Sequence, residues 1–215
     1  MLLLENWAKQ LNVTELEQHQ LINGVSWQQY EALLAEVGDA NGTLCARPGY
    51  RVHYLDQILE IMSPSRWHES QKTRIGDLLL IYFLHYQIPY FPMGSTTFKN
   101  ELKQVGLEPD ESYCLFTDKL IPDLAIEVIL TSGGLNRLAL YQRLGVPEVW
   151  FYQKSGFTVY SLSPSLSPIA PEFGYQCQSR SALLPDLDLT QLQQALDQAS
   201  PLAAAQYFQQ MLGKI

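Results

Sequence analysis

Three carboxylates stand in or beside the most apolar stretches of the chain. Asp123 and Glu127 fall within residues 121–130, an aliphatic, β-branched run bounded by turn residues, and Asp110 immediately precedes a second apolar run at residues 112–116. Side chains alternate along a strand, so Asp123, Ala125, Glu127 and Ile129 share one face and Leu124, Ile126, Val128 and Leu130 the other. Glu127 is therefore placed mid-strand among apolar neighbours, where an uncompensated carboxylate is costly to desolvate. It calls for a cation, a basic side chain or strong hydrogen-bond donors. Asp123 and Glu127 cannot readily share one ion, because roughly 13 Å of strand separates them. A second ligand must come from an adjacent element, and Asp110 is placed to supply it, leaving Asp123 as a residue at the strand's start. Oxygen ligands without cysteine point to Mg²⁺ or Mn²⁺, and such an ion serves phosphoryl chemistry. The competing reading pairs Glu127 with a nearby arginine, Arg137 or Arg143.

The elements that must hold these groups follow from periodicity. Residues 1–25 read as a peripheral helix and turn, with Gly24 as punctuation. Ser26 is a candidate N-cap for a helix to Val37, since Trp27, Tyr30, Leu33, Leu34 and Val37 recur at helical spacing. Two strands are expected at residues 50–54 and 58–62, turning at Leu55-Asp56-Gln57. Ser63-Pro64-Ser65 breaks the second, and a long helix follows from about Arg66 to His85, burying Ile75, Leu78, Leu79, Tyr82 and Phe83. Short strands are expected at residues 90–92 and 96–99, then the two acid-bearing strands. Thr131-Ser132-Gly133-Gly134 opens a helix that ends near Gly145. Strands at 149–153 and 157–162 turn at Lys154-Ser155-Gly156, and Ser200-Pro201 starts a terminal helix. Helices alternating with apolar strands predict an α/β fold with helices packed on a mixed sheet. No repeat is visible, and the three-proline segment 161–171 reads as a crossing between neighbouring strands. One domain over 1–215 is the expectation.

Composition narrows the function classes. A formal charge of −8 argues against non-specific adhesion to nucleic acid. The charge is uneven: residues 61–100 hold four Lys/Arg and two Asp/Glu, whereas residues 101–130 hold two and seven, which marks the latter as a solvated acidic surface or a cation site. The longest apolar run is far short of a bilayer span, and the N-terminal segment lacks the pattern of a signal peptide, so a cytoplasmic protein with no membrane contact is expected. Cys45, Cys114 and Cys177 lack metal-ligand spacing and read as buried free thiols. No Ser-His-Asp or Cys-His arrangement stands out, and Gly133-Gly134 lacks nucleotide-loop spacing.

The run IPDLAIEVILTSGGLNRLALYQRLGVPEVWFY (121–152) resembles the signature of the Uma family of restriction-endonuclease-like proteins, in the PD-(D/E)XK superfamily. LEIMSPSRWHE (59–69), MGSTTFKN (93–100) and GLEPDESYC (106–114) extend the resemblance in order over about residues 45–160. It implies a restriction-endonuclease-like core, a central mixed sheet flanked by helices, with helical additions at both ends. It implies that Pro109-Asp110 is the "PD" element and Glu127 the "(D/E)" element, with Glu69 the best match for a third acid from the first core helix, beside His68. Glu60 is a weaker candidate on the preceding strand. The superfamily lysine should stand two residues after Glu127, where this chain has Ile129. Relatives move it into the following helix, at Arg137 here, and Lys99 is another candidate cation. Arginine suits phosphate through its fork but cannot accept a proton as a neutral lysine can.

The resemblance thus implies a Mg²⁺- or Mn²⁺-dependent endonuclease acting on nucleic acid, DNA above all, as a homodimer, since cutting a duplex takes two cuts. Arg66, Lys72, Arg74, Lys99 and Arg137 are the candidate phosphate contacts. A module on the same fold that binds nucleic acid or protein without chemistry is the alternative, favoured by Ile129 and Arg137. A hydrolase of another phosphate ester ranks third.

Overall fold

The computed structural model describes residues 17–38, 50–130, 134–163 and 174–213. Residues 1–16, Cys45, Thr131-Ser132-Gly133 and most of segment 161–171 lie outside them. The chain divides into two compact units, and each sheet belongs wholly to one.

The first unit takes residues up to Arg66, Thr97–Glu108 and Thr131–Leu144. Its strands are β1 (Gln18–Asn23), β2 (Arg51–Leu55), β3 (Ile58–Ser63), β5 (Phe98–Asn100) and β6 (Val105–Leu107), ordered β1-β3-β2-β6-β5 and antiparallel throughout. Its helices are α1 (Trp27–Gly38) and α3 (Arg137–Leu144). Within the helix and turn expected over residues 1–25, residues 18–23 are instead the strand β1: in QHQLIN the polar residues fit an edge strand beside β3, and Gly24, at φ +74°, turns the chain into α1. Ser26 caps α1 reciprocally, its Oγ accepting from Gln29 N at 3.3 Å while its own N–H donates to Gln29 Oε1 at 2.8 Å. In the β2–β3 hairpin Asp56 and Gln57 both adopt positive φ, +47° and +67°, which suits a two-residue primed turn. Val52, Tyr54, Leu59 and Ile61 meet Val25, Trp27, Tyr30 and Leu33 of the α1 region in one apolar cluster. A β-carbon on Gly106 would lie 2.0 Å from the Tyr30 hydroxyl, so only glycine allows this ring to sit on β6.

The second unit takes Trp67–Thr96, Pro109–Leu130 and Gly145–Ile215. It carries almost all of the long helix α2 (Arg66–His85), and the strands β4 (Tyr90–Pro92), β7 (Glu111–Leu115), β8 (Leu124–Val128), β9 (Glu148–Gln153), β10 (Gly156–Ser163) and β11 (Gly174–Gln178), in the order β11-β10-β9-β8-β7-β4. The pair β8–β9 is parallel and the others are antiparallel, giving the expected mixed sheet. Helices α4 (Leu189–Leu196) and α5 (Pro201–Leu212) complete the unit. The α2 stripe packs with Leu124, Ile126 and Val128 of β8, with Trp150 and Tyr152 of β9, and with apolar residues of α4 and α5. The faces of β8 thus fall as parity predicts: aliphatic side chains enter this core, and Ala125 and Glu127 point away from it.

Short or polar elements escape the sequence pattern: β6, β11 and α4 are all additions to the expectation. The helix foreseen from residue 131 begins at Arg137, because Gly134 is a bend and Asn136 supplies the local cap, its side chain accepting from Ala139 N at 3.2 Å. Cys114 is a buried free thiol, whereas Cys177 is exposed on the edge strand β11. Among the described residues no helix is long and apolar enough to cross a membrane.

Candidate functional site

In the second unit, Asp110 stands one residue before β7 and Glu127 lies on β8. The antiparallel register pairs Glu111 with Ile126. Carried one step further, it sets Asp110 across from Glu127, and facing residues of such a ladder hold their β-carbons about 5 Å apart. Both side chains are buried, at 0% and 2% exposure. Asp110 Oδ2 accepts from the Val128 amide at 2.7 Å, so the residue after Glu127 fixes the aspartate's orientation. Asp110 Oδ1 lies 2.8 Å from His68 Nε2, on the first turn of α2. With Asp110 ionised, its oxygens only accept, and Nε2 is then the ring nitrogen that carries the proton. Ser95 Oγ donates to the Asp110 carbonyl at 3.3 Å, tying the same backbone to the loop after β4.

His68 is therefore brought to Asp110, as a fully buried neighbour rather than a surface histidine at a helix start. Glu69 is the next residue, and its half-exposed carboxylate lies 3.6 Å from Lys72 Nζ, one turn along the helix. Asp123 closes the start of β8, accepting from Leu115 N at 2.8 Å and from Lys119 Nζ at 2.7 Å. Its strand-start role is as expected.

A different carboxylate organises the first unit. Glu60, fully buried on β3, receives Arg137 Nη1 at 2.6 Å, Arg137 Nη2 at 3.4 Å, Leu135 N at 3.1 Å and His19 Nδ1 at 2.5 Å. His19 Nε2 lies 2.9 Å from Glu17. Burial by itself would raise the Glu60 pKa, but hydrogen bonding from His19 and the Arg137 charge outweigh it and hold the carboxyl well below its usual range. Burial likewise opposes the charge on His19, and its two carboxylate partners push the ring up to about 9. A β-carbon on Gly134 would lie 2.2 Å from Glu60 Oε1, so the bend before α3 is shaped to the carboxylate. Glu60 thus anchors Arg137. Lys99 on β5 makes an exposed pair with Glu31 at 2.9 Å, and Arg143 forks onto Asp56.

The candidate residues therefore fall in two sets: Asp110, Glu127, His68 and Glu69 in the second unit, Glu60, Arg137 and Lys99 in the first. Among the described residues no group of three or more His, Cys, Asp or Glu forms a metal-holding set. Mg²⁺ does not need one. It is commonly held by one or two carboxylates, with water and substrate phosphate filling the octahedron, so the buried Asp110–Glu127 rung fits its donor chemistry. The link between His68 and Asp110, 42 residues apart, had no signal in periodicity. The same holds for the Val128 amide, because a backbone donor is invisible until register is known.

No curated protein matches the chain. A family model, Uma2, described as "Putative restriction endonuclease", matches residues 27–193, more than three quarters of the chain. The match takes in both acid-bearing strands, α2 with His68, and the Glu60–Arg137 pair. The mixed sheet with its helices accords with the α/β core expected of such a protein, and the chain belongs to the Uma2 family.

Proposed function

We propose that this chain is a Mg²⁺-dependent endonuclease that hydrolyses phosphodiester bonds in nucleic acid, with DNA as its substrate. The observation that carries the reading is the buried rung of Asp110 and Glu127, with His68 and the Val128 amide fixing the aspartate. These two carboxylates would hold the ion, with Glu69 as a further ligand; Mn²⁺ would substitute for Mg²⁺. When bound, the metal supplies charge neutralisation at a phosphoryl oxygen and a more acidic water. The protein's part is to keep both carboxylates ionised and facing, and to prevent Asp110 from rotating. Val128 N–H and His68 Nε2–H each stabilise the ionised form of Asp110 through a hydrogen bond. The role of Arg137 in steadying charge on the phosphate is carried by the family resemblance alone. Its guanidinium is protonated at all relevant pH, so it acts by charge and not as a base. A homodimer is part of the reading, because two strands require two cuts.

The test is cleavage of supercoiled plasmid with Mg²⁺ or Mn²⁺, with Asp110→Asn and Glu127→Gln as controls. Metal-dependent nicking by the native chain that disappears in both variants is the expected outcome. Folded protein that leaves plasmid intact over a range of metal and salt overturns the nuclease and leaves the binding module, for which Ile129 in the lysine position is the supporting observation.

A further inference from the structure

A pocket of about 380 Å³ lies within the second unit, between α2, the end of β9 and α4. Trp67, Gln71 and Arg74 line it from one face of α2, at the i, i+4, i+7 spacing of successive turns. Tyr152 and Lys154 contribute from β9 and the turn after it, and Gln193 from α4. The Trp67 and Tyr152 rings are nearly parallel, 11° apart with centroids at 6.3 Å, and Lys154 Nζ sits 5.6 Å from the Trp67 centroid. Two polar atoms of the wall, Arg74 Nε and Gln193 Oε1, are buried without a hydrogen-bond partner. The rest of each group is held: Arg74 Nη2 donates to Gln198 O at 2.9 Å, and Gln193 Nε2 to Asp197 at 2.9 Å. Donor and acceptor are thus fixed in place with capacity unspent.

An indole face, two cations and three amides, with one carboxylate (Asp197) held by Gln193 at the α4 end, match one nucleotide in a space of this size. The aromatic surface offers stacking that every base can use, the cations suit a phosphate, and the amides offer donors and acceptors to a base edge. A base inside a duplex is stacked on its neighbours and cannot enter, so only an unpaired or extruded nucleotide fits. The chemistry also ties the pocket to the candidate centre. Trp67 immediately precedes His68, whose ring bonds Asp110, so one turn of α2 serves both.

We infer that this pocket takes an unpaired nucleotide of the nucleic-acid substrate, with its base on Trp67 and its phosphate at Lys154 and Arg74. The inference rests on the substrate class of the preceding reading but not on catalysis. The test is fluorescence anisotropy of a short fluorescein-labelled single strand, and of the same sequence as a duplex, in EDTA so that no cleavage intervenes. Trp67→Leu and Lys154→Ala are each expected to weaken single-strand binding about tenfold, with a much smaller effect on the duplex. Trp67→Phe should restore most of the affinity. Lys154 is exposed, so its variant reports on the pocket even where Trp67→Leu disturbs packing. No single-strand binding by the native chain, unchanged affinity in Lys154→Ala, or equal losses for single strand and duplex overturns the pocket. Plasmid nicking by the native chain alongside any of these leaves the nuclease standing and removes only the pocket. Selective single-strand losses without nicking do the reverse.

Discussion

Glu60 in the first unit and Glu127 in the second are both buried glutamates on strands, yet one is gathered by cationic side chains and the other shares its rung with a second acid. Glu60 meets an arginine fork, a charged histidine and a backbone amide, so its negative charge is closed within the unit. Glu127 stands across a ladder rung from a second buried carboxylate, itself steadied by donors. Burial of an acid therefore says little about its use.

The comparison can be broken by neutralising each acid. Glu60→Ala removes the carboxylate that Arg137 and His19 share, and breaking a buried pair of this kind costs about 3–5 kcal/mol, measurable by urea unfolding. Glu127→Gln keeps the size of the side chain, so plasmid nicking should fall to background with a smaller loss of stability than in Glu60→Ala. Equal destabilisation by the two variants would erase the distinction.

A smaller effect is expected at His68. His68→Ala leaves the Asp110 carboxylate without its side-chain donor, and loss of such an orienting partner costs about 10–100-fold in metal affinity or activity. Titration calorimetry with Mn²⁺ and nicking rates should show it together. A change in nicking without a change in metal affinity would assign His68 to the substrate instead.

The first unit also carries a pH signature. The folded-state pKa of His19, about 9, lies above its ordinary 6.5, so its contribution is complete below 6.5 and fades as pH rises to about 9. The depressed Glu60 contributes above the ordinary carboxylate pKa and loses its share as pH falls below it. Discounted for the partly exposed ring, the unfolding free energy should therefore drop by on the order of 2 kcal/mol between pH 6.5 and 9, and the drop should flatten in His19→Gln. The smallest effect belongs to the metal. Excess Mg²⁺ at about ten times its Kd adds about 1.4 kcal/mol to the native chain, roughly 3–6 °C in Tm, and nothing to Asp110→Asn.

The contrast was half legible in the sequence. Alternation along residues 121–130 was enough to put Glu127 opposite the aliphatic face, and adjacency of the two strands was enough to bring Asp110 to it. The stripe Ile75, Leu78, Leu79, Tyr82, Phe83 defined α2 because a long amphipathic helix repeats its signal over five turns. By contrast β1 is two-thirds polar, β6 is three residues with a glycine between, and α4 (LTQLQQAL) is mostly glutamine and leucine over two turns. Each is stabilised by its neighbours more than by its own pattern. Glu60 and Arg137 are 77 residues apart, and no local spacing reports such a meeting. Sequence alone offers Arg137 as a phosphate contact or a partner of Glu127, and its pairing with Glu60 is visible only in the fold.

The route of the chain has a consequence for how this protein can be handled. It passes from one unit to the other five times, at residues 66, 96, 108, 130 and 144. Neither unit is thus a contiguous stretch that could be subcloned, and any cut between residues 66 and 144 divides both. Deletion mapping, the usual way to assign an activity to half of a protein, cannot separate the Glu60 anchor from the Asp110 rung. Point substitution is the instrument this topology leaves. Many of its contacts join segments distant in sequence, so refolding should be slow compared with helical proteins of this length.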